Sequence, residues 1–301
     1  MPIYIWGKQM DFKKISIEDK SVFDCKLSKE IFNSEYQFST LFIWQESFDF
    51  CYTIYKEFIL VFGKQHNGNL QCYYPIGSGD LFDCVKYIKE YFKNIGMPFN
   101  MRPMSKDMLD NISPFLSDNI SIGFKDSYSD YIYDYERIKT YSGKEYKRKR
   151  KQVNYFRNNY NYIYETIKYS DKDLVLNRLH EIMKMDKHYD EDEWIAYQRM
   201  FNNFNELNLR GGLIKVDGII EAISVGELHG DSIIMHLRRC NKIYKGIYPT
   251  ILQLLLQNEF NEEWLHFINC QDDVGILNLR KSKLSYHPKF ILKKYYAIEE
   301  F

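Results

Sequence analysis

The chain has 301 residues, of which 45% are hydrophobic and 17% aromatic, and this length accommodates two domains of ordinary size. Such a composition supplies a packed core and excludes wholesale disorder. Lysine plus arginine and aspartate plus glutamate number 41 each, so the formal net charge is zero. A nonspecific nucleic-acid binder normally carries a basic surplus, so that class is disfavoured, although a local basic patch remains open.

The cysteines and histidines show none of the spacings that bind metal. The six cysteines include no CxxC pair, which predicts reduced and mostly buried thiols, and the seven histidines include no HExxH pattern. We therefore predict no metal site. The N-terminus lacks the layout of a signal peptide, and no apolar run approaches the length that crosses a bilayer. These features predict a soluble, cytoplasmic protein and leave work at a membrane surface open.

The first half of the chain predicts a short strand, two helices, three strands and a helix, and then a strand, a helix and a strand. Asp80 follows the loop Gly77–Gly79 and is placed to cap the helix that begins after it. The predicted strands span residues 12–17, 50–55, 58–62, 70–75, 99–101 and 120–124. The predicted helices span residues 18–33, 39–46, 81–93 and 105–116.

The second half repeats that order. Asp217-Gly218 is a strong hairpin signal, and Pro249 suits the first turn of a helix because its φ is fixed and it lacks an N–H. The predicted strands span 162–168, 213–216, 219–228, 232–240 and 264–269. Helices are predicted around 174–183 and 194–204, over 250–259, and from Asp272-Asp273 onward. The apolar face of the first of these helices holds Leu174, Val175, Leu179, Ile182 and Met183.

Both halves therefore follow the order β-α-α-β-β-β-α-β-α-β, which predicts two copies of one domain. We predict an α/β (α+β) protein with an N-terminal domain at 1–135 and a C-terminal domain at 136–301. The join is expected near Asp126–Tyr141. Each domain should hold a mixed, mostly antiparallel sheet that is flanked by helices.

Several motifs distributed along the chain resemble those of a known family. They are Ile17–Lys20, Phe38–Trp44, Asp130–Asp134, Ser142–Tyr146 with its following basic run, Tyr244–Tyr248 and Leu279–Pro288. Over about Phe12–Tyr296 the sequence resembles uncharacterised bacterial proteins related to the C-terminal region of phosphatidylglycerol lysyltransferase. The resemblance implies two tandem domains of the N-acetyltransferase-like (GNAT) fold. It also implies transfer of an aminoacyl group from a charged tRNA to an anionic lipid headgroup, with those two molecules as partners.

The residues from Lys144 to Lys151 form the most basic stretch of the chain. Its six cations in eight positions are Lys144, Lys147, Arg148, Lys149, Arg150 and Lys151. Ser142 and Glu145 have capping-box spacing, which places these cations on the first turns of a helix, where they oppose the helix dipole. One interpretation is a site for an anion such as a tRNA backbone or a lipid phosphate. The other is a solvated helix face.

The loop Tyr244–Tyr248 lies where an acetyltransferase holds the pyrophosphate of coenzyme A. Such loops are usually rich in glycine, because several backbone N–H groups must approach the phosphates closely. Here Gly246 is the single glycine, beside Lys245, and Ile247 and Tyr248 follow it. Coenzyme A is therefore disfavoured, and we predict no cofactor. A plain connection from strand to helix is the alternative.

Carboxylates and further cations near the end of the chain complete the candidate site. Asp272 and Asp273 follow a strand, so either could accept a proton from an attacking amine or hydroxyl, or could cap the next helix. Arg280 and Lys283 are three residues apart and could face one ligand. Arg238 and its neighbour in the same strand point to opposite faces of the sheet, so one of the two is expected to be buried with a carboxylate.

These residues lead to a prediction of an acyltransferase that depends on aminoacyl-tRNA. An acceptor amine or hydroxyl would attack the aminoacyl ester directly, and backbone N–H groups would stabilise the oxyanion. No covalent intermediate is required. Two alternatives stay open: an acyl-CoA-dependent N-acyltransferase, and a non-catalytic binding protein that retains the fold.

Overall fold

The computed structural model describes residues 10–28, 32–65, 67–186 and 189–300. These residues belong to two compact units. The first unit comprises Met1–Ser129 together with Leu292–Phe301, and the second comprises Asp130–Ile291. The division therefore falls a few residues before the predicted one at 135/136, and the end of the chain returns to the first unit.

Seven strands and five helices lie between residues 13 and 124 of the described chain. The strands are β1 (Lys13–Lys14), β2 (Cys51–Tyr55), β3 (Phe58–Lys64), β4 (Leu70–Cys72), β5 (Ile76–Gly77), β6 (Asn100–Met104) and β7 (Ile120–Phe124). The helices are α1 (Lys20–Lys26), α2 (Phe38–Ile43), α3 (Gln45–Phe48), α4 (Leu81–Asn94) and α5 (Lys106–Ile112). Asp80 accepts a hydrogen bond from the Asp83 N–H at 3.0 Å and so caps α4 as predicted. The predicted helix 18–33 ends at Lys26, and residues 29–31 of that prediction lie outside the described residues.

The remaining elements follow from Asp130 onward. The strands are β8 (Asp130–Asp134), β9 (Tyr162–Thr166), β10 (Arg210–Val216), β11 (Ile219–His229), β12 (Ser232–Cys240), β13 (Phe267–Asn269), β14 (Phe290–Leu292) and β15 (Tyr295–Glu299). The helices are α6 (Tyr135–Thr140), α7 (Lys147–Asn159), α8 (Lys172–Lys184), α9 (Glu191–Asn202), α10 (Ile247–Asn258) and α11 (Leu277–Leu284). Asp217 and Gly218 both have positive φ, as the predicted hairpin turn requires.

Each unit contains one mixed, mostly antiparallel sheet. The first sheet has the order β1-β2-β3-β4-β6-β15-β7, with β5 paired to β3, and the second has the order β14-β8-β13-β12-β11-β10-β9. One pair in each sheet is recorded as parallel, β4 with β6 and β12 with β13. In both sheets this pair follows four strands in antiparallel succession. The predicted fold class is therefore confirmed.

Both sheets are completed by a strand from a distant part of the sequence. In the first sheet β15 lies between β6 and β7 and pairs antiparallel with both. In the second sheet β8 pairs antiparallel with β13. The segment near Asp126–Tyr141, predicted as the join, includes the boundary between the two units at Ser129 and Asp130. It also contains β8 and α6, and the β8 side chains of Tyr131 and Tyr133 are buried.

Helices cover both faces of the second sheet. Arg238 approaches the ring of Tyr286, just after α11, whereas its neighbour Arg239 pairs with Glu193 of α9. Because consecutive strand residues point to opposite faces, α9 and α11 cover opposite faces. Leu174 is an exception to the predicted apolar face of α8, since it is 59% exposed while the other four residues of that face are buried.

Candidate functional site

The candidate site lies where two neighbouring parallel strands of the second sheet separate. β12 and β13 pair from Ser232–Phe267 to Ile234–Asn269. Beyond that point the side-chain amide of Gln271 donates to the backbone oxygen of Met235 at 3.0 Å. The register between β11 and β12 also shifts beside Gly226, which brings Arg238 to the face that carries α7 and α11.

Three cationic side chains from different elements meet at this place. Lys149 of α7 donates from Nζ to Ser285 Oγ at 2.8 Å, and the same Nζ lies 3.3 Å from the ring centroid of Tyr286. The guanidinium carbon of Arg238 lies 5.2 Å from that centroid. Lys283 donates from Nζ to the backbone oxygens of Cys270 and Gln271. We refer to Lys149, Arg238 and Lys283 as the cation cluster.

The cation cluster is buried, and none of its members is held in an ion pair within the described residues. Lys149 is 7% exposed and Lys283 8% exposed. The Arg238 Nη1 atom is shielded from solvent and finds no hydrogen-bond partner among the described residues. Across the ranges that the structure describes, no member of the cluster forms an ion pair. A buried positive charge without compensation is costly, so the arrangement is suited to an incoming anion.

The pKa values of both lysines reflect this environment. Burial lowers the pKa of Lys149 from 10.5 to about 7, and the neighbouring charges of Arg238 and Arg148 act in the same direction. Burial likewise lowers the pKa of Lys283; the charge of Arg238 acts in the same direction, and the carboxylates of Asp272 and Asp130 oppose it. A bound anion would favour the charged forms of both lysines.

Asp273 has no exposed surface and is held by several donors at once. Arg280 donates from Nε to Oδ2 at 2.8 Å and from Nη2 to Oδ1 at 3.0 Å. The Tyr131 hydroxyl donates to Oδ2 at 2.6 Å, and the Gly275 N–H donates to Oδ1 at 2.8 Å. Burial works against ionisation, but these donors outweigh it and lower the pKa of Asp273 below 3.8. Asp273 therefore stays ionised and holds its loop in place.

Asp272 lies on the same loop in a different environment. It is half-buried, and its Oδ1 accepts a hydrogen bond from the Val274 N–H at 3.2 Å. Gln271 and Val274 both have positive φ, 58° and 43°, and a β-branched residue in that region is strained. The predicted helix start at the two aspartates is wrong, because α11 begins at Leu277 with Ile276 as its N-cap.

The basic run divides into three kinds of residue. Lys149 alone is buried, and Lys144, Lys147, Arg148 and Lys151 are exposed. Arg150 donates to the backbone oxygens of Tyr141 and Gly143 and so fixes the turn before the helix. The predicted capping box is wrong: Tyr146 is the N-cap, and Glu145 forms an ion pair with Arg137 at 2.7 Å.

The loop before α10 packs against α7 and is not an open cradle. Gly246 has a φ of 92°, and a Cβ added there would lie 2.1 Å from the backbone oxygen of Gln152. The Ile247 N–H already donates to the Tyr244 oxygen, and Pro249 has no N–H to offer. Lys245 is exposed, with its Nζ 4.9 Å from the ring centroid of Tyr155. The single glycine thus serves close packing, which further disfavours a pyrophosphate site.

Sequence reasoning missed the tyrosines that surround the cation cluster. Their hydroxyls bind backbone oxygens: Tyr133 that of Lys283 at 2.9 Å, Tyr141 that of Pro249 at 2.9 Å and Tyr146 that of Tyr286 at 2.8 Å. The sequence did contain a pattern that identifies Lys149 as the buried lysine of the basic run. The buried residues of α7 are Lys149, Val153 and Phe156, a helical spacing that identifies which cation of the run faces inward.

Two negative findings concern only the described residues. None of their helices combines the length and apolarity needed to cross a membrane. No group of three or more His, Cys, Asp or Glu side chains among them is arranged to hold a metal ion.

The fold consists of two units, each built on one mixed, mostly antiparallel sheet. The chain belongs to the family described as phosphatidylglycerol lysyltransferase, C-terminal, whose family model matches residues 29–298. The predicted resemblance is therefore confirmed.

The chain is similar to one curated protein and to two solved structures. An uncharacterized protein of Mycoplasmoides gallisepticum is 26% identical over 182 residues, which are 56% of each chain, so this chain spans little more than half of that relative. The crystal structure of a conserved protein of unknown function from Bacteroides thetaiotaomicron is 27% identical, with a TM-score of 0.90 over 97% of this chain and 100% of that one. The C-terminal domain of a proposed lysylphosphatidylglycerol synthetase from Agrobacterium fabrum shares the fold at 13% identity, with a TM-score of 0.65 over 95% and 93%.

Proposed function

We propose that this protein is an aminoacyl-tRNA-dependent transferase that moves an aminoacyl group to an amine or hydroxyl acceptor, with an anionic lipid headgroup as the preferred acceptor. The family description names a lysyltransferase that acts on phosphatidylglycerol. The observation that carries the proposal is the cation cluster, whose members converge from α7, β12 and α11 and form no ion pair among the described residues. A phosphate of the donor or of the acceptor supplies the missing negative charge.

The cluster residues have distinct roles in this proposal. Arg238 directs its unpaired Nη1 hydrogens to the anion. Lys149 contributes a compact ammonium charge on a flexible side chain from α7. The same positive field stabilises the oxyanion that forms when the acceptor attacks the aminoacyl ester. Lys283, bound to two backbone oxygens of the strained loop, fixes the position of that loop relative to α11.

The two aspartates differ in the roles that we assign to them. Asp273 is committed to Arg280 and Tyr131, and its lowered pKa makes it a weak proton acceptor, so we assign it a positioning role. Asp272 is half-buried beside Lys283 and stays the candidate that takes the proton from the acceptor. The exposed cations Lys147 and Lys151 on α7 are candidates for contact with the tRNA backbone.

A transfer assay tests the proposal. Labelled amino acid on tRNA is offered with phosphatidylglycerol micelles or with a small amine, and transfer is measured for the wild-type chain, Arg238→Gln and Lys149→Gln. We expect transfer to fall by about a hundredfold or more in either variant, because preorganised charge acts directly on the transition state. Lys184→Gln, at an exposed lysine at the end of α8 that has no role in the proposal, is the matched control and should stay within about twofold, since it removes one screened surface charge.

The alternatives give different results in the same experiment. Turnover with an acyl-CoA donor, or clear thermal stabilisation by micromolar coenzyme A, would replace this proposal by the acyl-CoA-dependent one. Binding of charged tRNA without any transfer would identify a binding protein that retains the fold. Equal transfer by Arg238→Gln and the wild type, with both folded by circular dichroism, would remove the cation cluster from the reaction.

A further inference from the structure

The outer surface beside the candidate site combines exposed apolar residues with an exposed lysine, Lys281. Of the 19 large apolar side chains that are exposed in the described chain, six lie within residues 274–291, which identifies this stretch as the densest such patch. They are Val274 (59%), Ile276 (40%), Leu277 (67%), Leu284 (48%), Phe290 (39%) and Ile291 (38%). An apolar patch this concentrated marks an interaction surface.

Helix α11 presents the central part of this patch. Leu277, Lys281 and Leu284 follow one another at spacings of four and three residues, so they share one side of the helix. All three are exposed, whereas Lys283, which lies on the other side, is buried against the loop. Helix α11 thus exposes apolar side chains to solvent, whereas an ordinary surface helix turns its apolar side chains toward the core.

The charge of this stretch is one-sided. Residues 274–291 contain Arg280, Lys281, Lys283 and Lys289 and no aspartate or glutamate, in a chain whose formal net charge is zero. Lys281 is exposed in the middle of the apolar face. Arg280 is paired with Asp273 and Lys289 with Asp134, so Lys281 is the cation that this face offers to a partner. An exposed lysine between exposed leucines complements a surface that is anionic at the top and apolar beneath, as a bilayer of acidic lipids is.

The loop that leads into the helix is fixed rather than loose. Asp273 binds Arg280 on the next helix, and the Ile276 N–H donates to the Asp273 backbone oxygen at 2.8 Å. Val274 keeps its strained φ of 43° while 59% of its surface is exposed. A preformed apolar projection loses little conformational freedom when it enters a lipid interface.

We infer that Val274, Ile276 and the Leu277–Lys281–Leu284 face form a docking surface for an anionic lipid bilayer. This inference deepens the proposed function and rests on it for the lipid acceptor, since docking here places the cation cluster beside the headgroups. A bilayer would contact both the exposed apolar side chains and Lys281, whereas the backbone of an RNA would contact Lys281 alone.

Vesicle co-sedimentation tests the inference with vesicles of phosphatidylcholine alone and of phosphatidylcholine with about a third phosphatidylglycerol. Leu277→Gln/Leu284→Gln should bind the anionic vesicles at least about tenfold more weakly than the wild type, because two apolar side chains leave the interface. Lys281→Gln should weaken binding to anionic vesicles and leave the residual binding to neutral ones unchanged. Leu174→Gln, an equally exposed leucine on α8, is the matched control and should bind as the wild type does.

Several outcomes would overturn the inference. If the wild type and the double leucine variant bind the anionic vesicles equally well, this surface does not contact the membrane. Loss of self-association in the double variant, without loss of vesicle binding, assigns the surface to a second copy of the chain. Filter binding that shows weakened tRNA affinity in Lys281→Gln, with unchanged vesicle binding, assigns it to RNA. Vesicle binding and turnover, both measured on the wild type and on Arg238→Gln, separate the two proposals. If the docking surface is right and the transfer reaction is wrong, both proteins bind the anionic vesicles and neither shows turnover.

Discussion

Replacing Lys149 by methionine probes the buried charge at the centre of the candidate site. Methionine has a similar length and an apolar side chain, so it fills the same space on α7 without a charge. The groups that face Lys149 are Arg238 of β12, Arg148 of α7, and Ser285 and Tyr286 after α11. Two of them are cations and none is a carboxylate, so the wild-type lysine is charged at an energetic cost.

The cost follows from the pKa of Lys149. In the unfolded chain the pKa is 10.5, and in the folded unit it is about 7. Between these values the unfolded chain binds the proton and the folded one does not, so the contribution of Lys149 makes the free energy of unfolding rise with pH. Below about pH 7 both states are charged and the penalty is constant. Each pH unit inside the window corresponds to about 1.4 kcal/mol.

Urea unfolding of Lys149→Met and the wild type at pH 6 and pH 10 measures this difference. We expect the stability of the variant relative to the wild type to be about 4 kcal/mol higher at pH 6 than at pH 10, with the other titrating groups cancelling in the comparison. Lys147→Met, on the exposed side of α7, is the control and should show no such change. A relative stability of Lys149→Met that is the same at both pH values would refute a buried, uncompensated charge at this position.

Three further predictions concern the site and its supports. The affinity for inorganic phosphate or a phosphate ester should weaken as pH rises above 7, because binding requires protonated Lys149; calorimetry in two buffers should register proton uptake on binding. Asp273→Asn should destabilise the second unit by about 2–4 kcal/mol at pH 7, and the difference should begin to shrink near pH 3.8 and disappear as the pH falls through the lowered pKa of the folded carboxylate; urea unfolding at pH 7 and at a series of acidic pH values measures it. Gly246→Ala should cost more than about 2 kcal/mol in thermal unfolding, because its Cβ would meet the Gln152 oxygen, whereas Gly218→Ala, with similar φ and open space, should cost about 1 kcal/mol.

Local signals in the sequence were enough for most regular elements. The strands at 120–124 and 232–240 were predicted with the observed bounds, and the turn at Asp217-Gly218 needed only two residues that adopt positive φ. The short strand β8 was missed because its partner β13 lies more than a hundred residues away, and nothing within five residues distinguishes it from a linker. Such pairing depends on the assembled sheet rather than on the segment.

The candidate site was predictable as a set of residue types and not as a geometry. Lys149, Arg238, Lys283, Asp273 and Arg280 were all selected from the sequence, and the structure brings them to one region around Tyr286 and Tyr131. Their division of roles depends on contacts across the fold. No local pattern shows that Asp273 is occupied by an arginine seven residues later and by a tyrosine 142 residues earlier.

The position of β15 in the first sheet has a consequence for synthesis on the ribosome. β6 and β7 are made early, but the strand that joins them in the sheet emerges only after the whole second unit. At about 5–20 residues per second, that delay lasts roughly 10–30 s. During that time β7 lacks its neighbour, so the backbone N–H and C=O groups that β15 later pairs with are available to other chains. The first sheet can therefore be completed only after the second unit has been translated.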